Sequence, residues 1–252
     1  MILSRIHKAL SDQNWLAVSI EFVIVILGVV IGFQISQAGQ VRAERAHAYD
    51  ALTRMELEIR NIMGARSLSR PDVYAREQAL IEARPIIMGD VDAEALTPAQ
   101  CNALAQSGDL NMAPDEIPTL GEIIETGALS AIESEDVRSS MMRLVARRQS
   151  AREWNRQEIA RADDLAMRFP TLIWHELIED PDDDDGWDRR AVCDLDAMRA
   201  SPEFRASMMR NYSAARTQRN FVYDFIDGSL QDLHEAIDAE LGLTHDEAET
   251  AP

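Results

Sequence analysis

A chain of 252 residues with 44 Asp and Glu against 25 Lys and Arg carries a net charge of −19. Residues 1–36 set Arg5 and Lys8 against Asp12 and Glu21, so essentially all of that charge falls on residues 37–252. Such an acidic body repels nucleic acid and anionic head groups, which excludes both as partners of the soluble part.

The first element is the apolar run Leu16–Ile35, LAVSIEFVIVILGVVIGFQI. A helix rising about 1.5 Å per residue needs roughly 20 mostly apolar residues to cross about 30 Å of hydrocarbon. The run has that length, with Trp15 at its start, where an interfacial aromatic is expected. Ser36-Gln37-Ala38 has the small–x–small spacing of a signal-peptidase site. Against cleavage, the run is longer than an ordinary signal core, and Gly28, Gly32 and Gln34 suit a retained span. The expected organisation is therefore a short cytoplasmic tail over 1–15, a transmembrane helix over 16–36, a helical domain over 37–242 and an acidic tail over 243–252. Arg5 and Lys8 flank one side and Arg42 and Arg45 the other, so charge alone leaves the orientation open. The short amino-terminal tail favours leaving residues 37–252 outside. Lys8 is the only lysine among many arginines, the usage of a GC-rich bacterial genome. The localisation expected is a bacterial inner membrane, with the body in the periplasm.

Within the span, Glu21, Gly28 and Gly32 fall within about 20° of one another on a 3.6-residue helix. Gly28 and Gly32 form a GxxxG pair, which lets two membrane helices approach closely. An acid inside a span is a functional candidate by default. The three residues read as a helix–helix interface for self-association or for a membrane-protein partner. A proton or ion relay through Glu21, inside a larger membrane complex, is the alternative.

After Gln40, residues Ala48, Leu52, Met55, Ile59 and Ile62 advance by steps of four and three, one apolar stripe on a helix continuing from the span. Gly64 and Ser69-Arg70-Pro71 predict a break there, with Pro71 in the first turn of a second helix to about Arg84. Thr97-Pro98-Ala99-Gln100 predicts a capping box and a short helix to about Gln106. Thr119-Leu120-Gly121-Glu122 repeats that logic, and Gly127 is the expected stop. Ser134-Glu135-Asp136 predicts the start of a helix reaching Pro170. Its arginines, from Arg143 to Arg161, are expected to pair with acids of neighbouring helices. Ser201-Pro202-Glu203 caps a final helix that Gly242 closes, with a stripe from Phe204 to Leu241. No strand pattern is evident. The fold class expected is all-α: one membrane helix followed by an antiparallel bundle of long helices.

Chemistry-bearing patterns are few. Cys101 and Cys193 form an even pair, far apart in sequence, which reads either as one disulfide in an oxidising compartment or as two buried thiols. The acidic run Glu179–Asp188 resembles a calcium loop, but aligning Gly186 with the EF-hand glycine puts Pro181 and Val192 where carboxylates must stand. A solvated loop is the first reading and a loose cation contact the second. A di-iron bundle needs two Glu-x-x-His motifs, and only Glu44-Arg45-Ala46-His47 is present. His234 and Asp238 share a helix face at i, i+4, with helical histidines read as surface or capping groups. No hydrolase, nucleotide, redox or metalloprotease motif occurs. No catalysis and no cofactor are expected. The function expected is a membrane-anchored binding or scaffolding module; a metal-binding or enzymatic bundle is the further alternative.

Two segments resemble a family of uncharacterised bacterial single-pass membrane proteins, known as a domain of unknown function. The first is the anchor, Glu21-Phe22-Val23-Ile24-Val25-Ile26-Leu27-Gly28 with Gly32-Phe33-Gln34-Ile35. The second is Thr119 to Ile132, TLGEIIETGALSAI, followed by Glu135-Asp136-Val137-Arg138 at a helix start. The family's Asn-rich stretch after the anchor is replaced here by Ser36-Gln37-Ala38-Gly39-Gln40. The resemblance covers about a quarter of the chain and implies a short cytoplasmic tail and a helical extracytoplasmic body. It implies no catalytic residue.

Overall fold

The computed structural model describes residues 15–179 and 187–244. Most of the expected tails 1–15 and 243–252, and residues 180–186 of the calcium-like loop, lie outside the described residues.

Helix α1 runs from Trp15 to Met88, 74 residues without a break. Its apolar start has a mean hydropathy of 2.2 over 18 residues, none of them buried. Burial begins at Ala48, so residues 36–47 form an exposed stalk ~18 Å long. Beyond it, the predicted stripe of Ala48, Leu52, Met55, Ile59 and Ile62 is buried as expected. The break expected at Gly64 and Pro71 does not occur: Pro71 and Pro85 both lie inside the helix. A proline deprives the carbonyl four residues back of its partner. For Pro71 that carbonyl belongs to Ser67, which is exposed, so water can replace the lost bond. Packing on both sides of the proline then holds the helix together.

The next elements show how caps are supplied. Helix α2 (Pro98–Ala105) has the full Thr97–Gln100 capping box predicted for it. Helix α3 (Pro118–Thr126) does not: its N-cap is Ile117, without a side-chain cap. Thr119 instead donates its hydroxyl and its N–H to the Glu58 carboxylate, at 2.8 and 3.1 Å. An acid on α1 therefore satisfies this helix start, where a carboxylate is favoured. Gly127, at φ +72°, closes α3 as expected and leads into a 3₁₀ turn, Ala128–Ala131.

Helix α4 (Glu135–Ile159) starts under the Ser134 cap but stops short of Pro170. The cause is Asn211, fully buried, which takes both backbone groups of Asp163: its Oδ1 accepts the N–H at 2.9 Å, and its Nδ2 donates to the carbonyl at 2.6 Å. Gly108 packs against the same turn, and a Cβ there would lie 2.7 Å from the Asp163 carbonyl oxygen. A one-turn helix α5 (Leu165–Arg168) follows, capped by Asp164.

Contrary to the expectation of helices alone, the described residues form two strands. Strands β1 (Ile173–Glu179) and β2 (Trp187–Cys193) pair antiparallel from Ile173 opposite Cys193 to Glu179 opposite Trp187. Only the base of this hairpin is buried, through Ile173 and Ala191. The Ala191 N–H donates to Asn102 Oδ1 at 2.9 Å, tying β2 to α2. Helix α6 (Leu195–Ala200) and the Ser201-capped helix α7 (Pro202–Thr217) come next. A π-helical segment, Gln218–Asp224, separates α7 from α8 (Phe225–Leu241), which ends at Gly242. The predicted single helix over 201–242 is thus helical throughout but locally unwound.

Two apolar clusters result. The one nearer the apolar run joins Leu52, Met55 and Ile59 of α1 to Leu120 of α3, Met141 and Leu144 of α4, and Leu230 and Leu233 of α8. The far one joins Leu80, Ala83 and Ile87 of α1 to α2, the hairpin base and α7. Val222 and Tyr223 of the π-helical segment pack with Val73 and Tyr74 between them, beside Pro71. Helix α3 runs against α1, since Thr119 meets Glu58 and Glu122 meets Arg54. Helix α8 does too, since Asp227 meets Arg66 and His234 lies near Glu56.

Candidate functional site

Glu21, Gly28 and Gly32 lie on the exposed stretch of α1, and a Cβ at either glycine would meet nothing within 4 Å. Cys101 of α2 and Cys193 of β2 stand at disulfide distance, with Cα atoms 5.9 Å apart and 92 residues between them. That separation lies inside the range a cystine requires.

The arginines of α4 are largely matched within the chain. Arg152 donates to Asp115 at 2.8 Å and to Glu116 at 2.7 Å, and these bonds push its pKa further above the ordinary arginine value. Arg148 approaches Asp115 at 3.4 Å, and Arg147 donates to Ser229 at 2.6 Å. The acids come from the segment leading into α3 and from α4 itself.

Sequence reading gave no sign of the next network. Arg66 of α1 is 1% exposed, among the most deeply buried of the large side chains. Its guanidinium donates to Asp227 and to the Val222 carbonyl, and to the Pro114 carbonyl at 3.1 Å. The Tyr223 ring lies 5.2 Å from it. Close by, Tyr74 donates to Asp224; burial first, then that hydrogen bond and the aspartate's charge, push the tyrosine up to about 12.

Asp163 forms a further cluster at the turn after α4. Burial works to raise its pKa, but hydrogen bonds from Arg210, Arg168 and Ser207 outweigh it and hold the carboxyl below its ordinary 3.8. A depressed carboxylate contributes stability that is full above the ordinary value and lost as pH falls through the folded one. Asp163→Asn should therefore melt several degrees below wild type at pH 7, with the gap narrowing as pH drops below about 4. Parallel melting curves at pH 7 and pH 3 check this; a gap independent of pH refutes it.

Among the histidines, His47 on α1 is exposed as expected, but His234 is not a surface or capping group: its side chain is 12% exposed, and that of Asp238 is 16%. Its Nε2 lies 3.4 Å from Asp238 Oδ2. Glu56 of α1, 3% exposed, completes a group whose ligating atoms all lie within 4.8 Å of one another. Arg60 contacts both oxygens of Glu56, with Nε 2.6 Å from Oε1 and Nη2 3.3 Å from Oε2. The i, i+4 spacing on α8 was visible in the sequence; the third member, 178 positions earlier, was not. Glu44 and His47 are exposed on α1 and do not join this group. Compared with known proteins, the chain matches no family model, no curated protein and no solved structure.

Proposed function

We propose that the chain is a single-pass protein of a bacterial inner membrane, anchored by residues 16–36, whose periplasmic helices form an antiparallel bundle serving as a binding or scaffolding module. One observation carries this reading: the exposed apolar run and the buried stripe from Ala48 to Ile62 belong to one unbroken helix. Whatever positions the anchor in the bilayer thereby positions the body. The resemblance of the anchor and of residues 119–132 to a domain of unknown function supports the same topology. We further propose that the module self-associates along Glu21, Gly28 and Gly32.

Topology and association are tested separately. Protease added to spheroplasts should digest residues 37–252; full protection would reverse the orientation. Replacing Gly28 and Gly32 together with Ile should separate two anchor backbones and weaken association by roughly tenfold or more. Crosslinking from single cysteines along the span should peak every third or fourth position, centred on 21, 28 and 32. A flat profile, with assembly unchanged in the double variant, would leave the anchor as a simple tether.

A further inference from the structure

We propose that Glu56, His234 and Asp238 bind one divalent transition-metal ion of the kind that accepts mixed nitrogen and oxygen donors, with Zn²⁺ as the type. Two helices supply the donors. Glu56 projects from the anchor-bearing helix α1, while His234 and Asp238 sit one turn apart on α8. All three ligating atoms lie within 4.8 Å of one another, and Leu233 and Ile237, both fully buried, flank them on α8.

The spacing of the group suits a cation. A charge-assisted bond between imidazolium and carboxylate closes to about 2.7–2.9 Å. His234 Nε2 and Asp238 Oδ2 stand at 3.4 Å instead. Two ligands bonded at about 2.0–2.1 Å to a tetrahedral Zn²⁺ lie roughly 3.4 Å apart, which matches that separation. The third donor, on Glu56, lies within 4.8 Å of both. Three protein ligands leave the fourth position for water, as in open zinc sites.

Charge and ligand chemistry agree with this choice. The two carboxylates of Glu56 and Asp238 outnumber the one guanidinium of Arg60 beside them, so a cation meets an excess of acceptor oxygens. Calcium takes six to eight oxygens, more than this group offers, and an imidazole donor suits zinc and its neighbours. Arg60 acts as a positioning residue: its Nε and Nη2 reach Oε1 and Oε2 of Glu56 at 2.6 and 3.3 Å and orient the carboxylate, as an outer-shell partner does around a ligating acid. A metal here would fasten α8 to α1 about 30 Å beyond the end of the apolar run. This site is independent of anchor association.

The test uses the tag-free full-length chain in detergent, stripped with a chelator. Titration with Co²⁺ should give visible d–d bands of a four-coordinate ion, saturating at one equivalent and bleached by Zn²⁺. His234→Gln and Asp238→Asn should each abolish the bands. Arg60→Gln should keep them but weaken affinity roughly 10–100-fold. X-ray absorption of the wild-type Zn²⁺ form, which needs no variant, should show one imidazole among oxygens at about 2.0–2.2 Å. Absent bands in wild type, bands surviving in both ligand variants, or a zinc shell without imidazole would each overturn the proposal.

Discussion

Arg66→Met should destabilise the protein by about 3–5 kcal/mol, the range for removing one partner from a buried ion pair. Methionine fills much of the volume but donates nothing. It would strand the carbonyls of Pro114 and Val222, both held by the guanidinium. Asp227 would keep Arg70, so its charge is only partly uncompensated. Arg66→Lys should fall between wild type and Met, because an ammonium cannot span three acceptors in the plane that a guanidinium reaches. For a domain of this size the Met variant should melt roughly 6–20 °C lower. Thermal melts of the detergent-solubilised chain decide the matter; a shift under about 2 °C would mean that the network is dispensable.

A comparable loss is expected at the far end of the body. Replacing Cys101 and Cys193 together with Ser opens a loop of 92 residues. Loop entropy for a closure of that length is worth about 4–5 kcal/mol. The effect should be local. The cystine ties α2 to β2 at the far apolar cluster, while the cluster near the anchor has its own four helices. Unfolding of the double variant should therefore split into two steps, with the hairpin and α2 released first. Reductant should produce the same early step in wild type. Limited proteolysis then cuts near residues 173–193 before α4 or α8. Superimposable melts with and without reductant would show that the cystine adds nothing.

What the sequence disclosed and what it withheld divide along a physical line. Thr97, Ser134 and Ser201 were legible as caps because a cap is settled within four residues. Gly127 and Gly242 were legible as stops because left-handed backbone favours glycine. The stripe from Ala48 to Ile62 was legible because burial follows helical spacing. The failures depend on distant partners. Thr119 mimics a local cap, but its partner is Glu58, 61 residues away. The turn at Asp163 is made by Asn211, 48 residues on. The hairpin leans on Asn102 and on the cystine rather than on its own pattern. The Glu56–His234–Asp238 group was half visible for the same reason: the pair on α8 shows in spacing, and the partner on α1 does not.

The unbroken course of α1 has a consequence for assembly. Each residue of a helix advances its azimuth by about 100°. With no non-helical residue between Trp15 and Met88, the direction in which the body faces is fixed by counting residues from Gly28. The stalk works as an angular dial: one residue more would swing the body by more than a quarter turn, and seven more would nearly restore its bearing. Two copies meeting at their anchors would thus present one predetermined side of each body to the other, set by stalk length and not by any contact between the bodies.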